Sequence, residues 1–281
     1  MRIRLDIAYD GTHFRGWARQ PAHRTVQGEI EDALARVIGG TPRLVVAGRT
    51  DAGVHASGQV AHVDLDAAQT ERMLSRRARA PHADPVEALA ARVRGVLGAY
   101  ADVTVHASRV APEGFDARFS AVWRRYAYRL TDARAGYDPL ERLRTTTVRG
   151  ELDVEAMDEA ARSLIGLHDF AAYCKPRDEA TTIGTLLEFD WHRDTAGVLV
   201  ANVKADAFCH SMVRALVGGC VAVGEGRLTA GDLAEIRDRL VRVPDVKVLA
   251  ARGLTLTEVG YPADDLLAAR AAQTRSRRDR D

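Results

Sequence analysis

The residues best suited to chemistry sit in one short loop. The string Gly48-Arg49-Thr50-Asp51-Ala52-Gly53-Val54-His55-Ala56 sets a guanidinium two residues from a carboxylate, among glycines. Apolar runs flank it, 44–47 and 60–63, so strand, turn, strand is the expected course. Strands hold the ends of such a loop still while its side chains stay accessible. A carboxylate placed there can act as a nucleophile. Asp beside Gly is also ordinary turn chemistry, and taken alone the loop only reverses the chain.

Other groups must be positioned around it. Phe115-Asp116-Ala117-Arg118-Phe119-Ser120 follows a strand over 102–110 and joins aromatics to a cation. From Val122 to Leu130 the chain alternates, with Val122, Arg124, Tyr126, Tyr128 and Leu130 on one face. Tyr126 and Tyr128 therefore share a face, and spacing does not separate them. In Ala207–Gly218, residues Phe208, Met212, Ala215 and Leu216 read as helix-spaced core, with Arg214 on another stripe. An Arg in so apolar a helix is costly unless paired or able to reach solvent. Cys209 and His210 are adjacent but have no further ligands in sequence, so a metal site is not suggested.

The elements between follow from pattern. Ile3, Leu5, Ile7 and Tyr9 alternate as a half-buried strand. Thr25 can cap a helix carrying Val26, Ile30, Leu34, Val37 and Ile38. Asp153 and the Thr229/Asp232 pair are two more helix starts, and Arg193–Gly197 reads as a hairpin turn. Nine or ten strands and four or five helices, irregularly mixed, indicate an α+β fold. The loop 132–143 separates an N-terminal half, 1–131, from a C-terminal half, 144–262. Residues 263–281 are polar and Arg-rich and are expected to be disordered.

Composition narrows the classes. The chain has 281 residues, 46% hydrophobic and 28% charged, with a net charge of +1. That supports a large core and gives no global polycation. Positive charge is almost all Arg, the better group for bidentate phosphate contacts. Three cysteines without a C-x-x-C suggest neither a disulfide framework nor a thiolate zinc site. The N-terminus has a strand pattern, and no run approaches a membrane span, so a cytoplasmic protein is expected.

The string G-R-T-D-A-G-V-H-A followed by G-Q-V resembles the signature of the tRNA pseudouridine synthase A family. The resemblance extends along nearly the whole chain. Y-D-G-x-x-F-x-G-W-x-x-Q, F-x-A-R-F-S, R-R-Y-x-Y, A-F-x-x-x-M-V-R and G-L-x-L all have counterparts here. It implies the pseudouridine synthase fold, two similar α+β halves sharing a mixed, mostly antiparallel sheet with a central cleft. It implies an isomerase that converts uridine to pseudouridine at positions 38–40 of the tRNA anticodon arm. By the same resemblance Asp51 is the nucleophile, Tyr126 lies against the target base, and Arg214 comes from the other half as the partner of Asp51. Arg49 fills the space of the flipped base; Phe115, Arg118, Phe119 and Arg177 contact tRNA; Leu254 lines the uracil pocket. The resemblance implies a homodimer with tRNA as partner, and the chemistry requires no metal or organic cofactor. The sequence departs from the family in 69–86 and at Ala172, Tyr173 and Cys174, where Lys175 or Arg177 supplies positive charge instead. Two other classes compete: a non-catalytic RNA-binding protein or RNA chaperone of the same fold, and a phosphate-ester hydrolase. The hydrolase would want a second acid or a metal cluster, and no D-x-D occurs at Asp51.

Overall fold

Alternation at Ile3, Leu5, Ile7 and Tyr9 produces β1 (Arg2–Tyr9), with those four side chains buried. The computed structural model describes residues 1–75, 84–176 and 181–278, which fall into two units. The first holds Met1–Val122 and the stretch from Thr257 onward; the second holds Trp123–Leu256.

In the first unit, Thr25 accepts a hydrogen bond from the Gly28 N–H at 3.2 Å and starts α1 (Val26–Ile38). β2 (Leu44–Val46) and β3 (His55–Asp64) bracket the Arg49–Asp51 loop. α2 (Ala67–Ser75), α3 (Glu87–Leu97) and β4 (Val103–Val110) complete the run. β1 pairs antiparallel with β3 and with β4, and β2 pairs antiparallel with β3. α3 packs on β4 and on α1. Ile30 and Leu34 of α1 and Leu89 and Val93 of α3 are fully buried, each such burial stabilising the fold by about 1.5–3 kcal/mol.

The second unit begins with β5 (Trp123–Thr131), and β6 (Thr146–Thr147) lies parallel to its end. Asp153 caps α4 (Val154–Ser163) by accepting from the Ala156 N–H at 2.9 Å. β7 (Gly166–Asp169), β8 (Ile183–Arg193) and β9 (Leu199–Ala205) follow; β8 and β9 form the expected hairpin. α5 (Met212–Gly224) is almost wholly buried, and α6 (Ala230–Asp238) opens with a Thr229/Asp232 capping box. The strands run β5-β9-β8-β7 in hydrogen-bonded order, all antiparallel. β10 (Leu254–Gly260) opens in this unit, and its residues from Thr257 onward belong to the first. The fold is α+β, with a mixed, mostly antiparallel sheet. Ten strands match the expected number; seven α-helices among the described residues exceed it.

The sequence sets β5 at the close of the N-terminal half; its ladder with β9 runs from Arg124↔Ala205 to Leu130↔Leu199, and the strand lies in the second unit. The tail is not disordered across its length. Residues from Leu267 form α7 (Leu267–Arg278), because Leu267 and Ala271, one turn apart, bury their side chains at 1% and 3% exposure. The Gly114 backbone lies close enough to Ala268 that a Cβ on Gly114 would come within 2.5 Å of that side chain. Without that docking the segment, rich in Ala and Arg, has little to fold against.

Candidate active site

The Asp51 loop is braced from behind by buried polar groups. Thr50 is buried, its hydroxyl 2.8 Å from that of Tyr9. Gln59 on β3, with no exposure at all, donates to the Tyr9 hydroxyl at 3.3 Å and to the Gly48 carbonyl at 2.8 Å. A buried amide needs such partners, and they tie the Gly48–Thr50 limb of the turn to β1 and β3. The Thr50 carbonyl accepts from the N–H of Trp17, itself buried at 1% exposure. Gly16 makes this approach possible. It sits at φ +88°, and a Cβ there would come 3.0 Å from the Thr50 carbonyl oxygen. The D-G-T-H-F-R-G-W segment thus packs against the Asp51 loop. Held in this way, Thr50 points inward, Asp51 is half-buried and Arg49 is exposed.

The other loop of the first unit that carries expected site residues is Phe115–Ser120. Phe115 was expected to touch tRNA, but it is buried at 1% exposure. Tyr261 packs 5.0 Å from its ring and His62 meets it edge-on at 6.2 Å. Phe115 thus packs inside the loop rather than on its surface. Asp116 Oδ1 accepts from the backbone N–H groups of Arg118 and Phe119, both at 2.9 Å, which turns Arg118 outward. The Arg118 guanidinium lies 5.2 Å from the Phe119 ring centre.

In the second unit, the two tyrosines that sequence spacing leaves equivalent part ways. Tyr128 has no exposure, and its hydroxyl is 2.8 Å from that of Thr146 and donates to the Ala250 carbonyl at 2.9 Å. Burial pushes that hydroxyl up to about 12, against the lesser effect of Thr146. Tyr128 is a structural residue. Tyr126, 9% exposed, meets Phe208 edge-on, with ring centres 5.1 Å apart. Phe208 is not in the helix, as its spacing suggested. Ser211 takes a left-handed conformation at φ 66°, α5 starts at Met212, and Phe208 belongs to the preceding loop.

Arg214 lies on the first turn of α5, half-buried, and its Nε donates to the Leu249 carbonyl at 2.5 Å. That bond fixes the stem of the guanidinium beside the stretch leading to β10. Leu254, at 6% exposure, opens β10. Arg177 lies outside the described residues, and Lys175 is exposed.

One pairing was not expected. Cys174 and Cys209 form a disulfide, with Cα atoms 5.6 Å apart. It joins the loop after β7 to the loop that carries Phe208, and the Lys175 N–H donates to the His210 carbonyl alongside at 2.9 Å. An odd cysteine count concealed it; Cys220 is the odd one, buried in α5. Unfolded without reductant, the chain should therefore show one titratable thiol, rising to three after reduction. Three thiols before reduction would exclude the bond. Among the described residues no three His, Cys, Asp or Glu side chains are grouped to hold a metal.

An α+β chain with one braced, partly open carboxylate loop fits an enzyme acting on a substrate larger than a buried metabolite. The comparisons with known proteins make this specific. A family model described as tRNA pseudouridine synthase matches residues 7–95 and 160–262. The tRNA pseudouridine synthase A of Leifsonia xyli subsp. xyli is 59% identical over 99% of this chain and 97% of its own length. That of Streptomyces griseus subsp. griseus is 54% identical over 98% and 93%, and that of Mycobacterium leprae 45% identical over 99% and 96%. The chain belongs to the tRNA pseudouridine synthase family.

Proposed function

We propose that this protein isomerises uridine to pseudouridine in the anticodon stem-loop of tRNA, at positions 38–40, with Asp51 as nucleophile. The observation that carries the reading is the Asp51 loop, a half-buried carboxylate on a turn fixed by Thr50, Tyr9 and Gln59. Full-length similarity to tRNA pseudouridine synthases A supports the substrate.

The reaction needs few parts. The uridine leaves its stack, at a cost of a few kcal/mol, and exposed Arg49 occupies the space it vacates. Asp51 attacks the sugar or the uracil ring, and the bond from C1′ to N1 breaks. The uracil turns, C5 joins C1′, the bond to Asp51 breaks, the C5 proton departs and N1 gains a proton. Tyr126, steadied by Phe208, stacks on the base and assists loss of that proton. Arg214 keeps the Asp51 carboxylate ionised, and Leu254 offers an apolar contact to uracil. Arg118 and Phe119 hold the tRNA. Their exposure on the loop turned by Asp116 supports this. The protein works as a homodimer in the cytoplasm, where its substrate is; no helix among the described residues is long and apolar enough to cross a membrane.

Purified protein should release tritium from tRNA labelled at uridine C5, one equivalent per pseudouridine mapped in the anticodon arm. Binding without release would leave a non-catalytic RNA-binding protein. In the same assay Arg214→Met should lose at least about 10²-fold in rate, the scale of one lost charge-stabilising group. A near-normal rate with an unchanged pH profile would remove Arg214 from the chemistry.

A further inference from the structure

α7 adds a second cation to the loop that carries Arg118. The Arg275 guanidinium lies 4.9 Å from the centre of the Phe119 ring, while that of Arg118 lies 5.2 Å from the same centre. Arg275 Nη2 also donates to Asp116 Oδ2 at 2.7 Å. The carboxylate is also engaged through Oδ1 by two backbone N–H groups, so its orientation is fixed independently of Arg275. Arg275 is 53% exposed, while the Asp116 side chain is 8% exposed, so the guanidinium keeps about half its surface in water beside a buried carboxylate. What the pair does is direct the guanidinium. Asp116 holds Arg275 through one nitrogen over Phe119 and leaves its other donors toward solvent.

The backbone around it is built to keep that arrangement. The Ser120 hydroxyl, with no exposure, donates to the Leu267 carbonyl at 3.1 Å and accepts from the Asp116 N–H at 3.0 Å. Leu267 and Ala271 are buried on the face of α7 that Arg275 continues, one turn further on. Two guanidinia on one half-exposed aromatic ring suit a nucleic-acid strand. Arg gives bidentate contacts to phosphate, and the ring gives a stacking face.

We propose that α7 is part of the RNA-binding surface, with Arg275 contacting a phosphate of the strand that Arg118 engages. This rests on the tRNA reading above, which supplies the partner. A phosphate contact carries no sequence information, so it should strengthen every tRNA alike.

The test is tRNA affinity of the full chain across a range of salt concentrations. Arg275→Ala should weaken binding several-fold and lower the slope of log affinity against log salt by about 0.7–0.9, the value for one lost phosphate contact. Arg275→Lys, which keeps the charge, should keep the slope, and Arg275→Gln serves if the Ala variant folds poorly. The loss should be equal across several tRNAs. An unchanged slope would overturn the proposal even if affinity fell, because it would reduce Arg275 to a brace for the loop. If wild-type protein neither binds nor modifies tRNA, the functional reading fails. If it modifies tRNA and the slope is indifferent to Arg275, only this inference fails.

Discussion

Asp51→Asn is expected to lower pseudouridine formation by at least about 10⁴-fold while tRNA binding stays within a few-fold. The magnitude is that of removing a nucleophile elsewhere in enzymology, and it corresponds to about 5 kcal/mol of activation free energy. Asn has the size of Asp and keeps one of its two acceptor oxygens, but its amide oxygen does not form a stable bond to the substrate. The loop should not move, because its shape depends on neighbours. The Thr50 hydroxyl meets that of Tyr9, and the Thr50 carbonyl and Gly48 carbonyl accept from Trp17 and Gln59. Binding should survive because Arg49, Arg118 and Phe119 stay in place. Single-turnover rates and equilibrium binding on the same tRNA separate the two effects. Turnover within tenfold of wild type would move the nucleophile to another residue.

The largest effect on stability is expected at Asp132. Its side chain is buried, yet it is a carboxylate. Arg193 grips it with two nitrogens, at 3.1 and 2.6 Å, and the N–H groups of Ala135 and Leu152 donate to it at 3.1 Å each. Burial alone would raise its pKa. The Arg193 hydrogen bonds, then the Leu152 and Ala135 amides, outweigh burial and hold the carboxyl at about 2. The folded value lies below the unfolded one, near 3.9. The contribution is therefore complete above about pH 4 and is lost as pH falls toward 2. It amounts to about 2–3 kcal/mol. Asp132→Asn goes further, because it leaves the Arg193 guanidinium, 13% exposed, without its counter-charge. Breaking a buried pair from one side costs about 3–5 kcal/mol. Denaturant unfolding at pH 7 measures this loss. The gap between wild type and variant should shrink as pH drops from 4 to 2. A gap that ignores pH would mean the ion pair is not its source.

Much of this protein is local, and local features were legible. The strand-turn-strand around Asp51, the caps at Thr25, Asp153 and Thr229, and the alternation through β1 and β5 depend on residues within a few positions of each other. Side-chain periodicity and turn chemistry encode such features directly, so the α+β class and the reactive loop followed from the order of amino acids. The motifs also carried the family, which the relatives then bore out.

What remained depended on partners far along the chain. Tyr126 and Tyr128 have the same period, and sequence distance hides that Thr146 and the Ala250 carbonyl reach the Tyr128 hydroxyl. Phe115 looked like an RNA contact until Tyr261 and His62 enclosed it. Cys174 and Cys209 are 35 positions apart, and nothing in their spacing pairs them. The tail reads as soluble polar chain because its apolar stripe is two small turns of Leu and Ala; it becomes α7 only where Gly114 and Ser120 receive it. Composition and order alone thus decided the local strands, turns and helix caps, and placed Arg49 and Asp51 on one loop. Only the tertiary fold decided which aromatic and charged side chains are spent inside it and which are left facing a substrate, since burial and hydrogen bonding are settled by neighbours that sequence distance does not reveal.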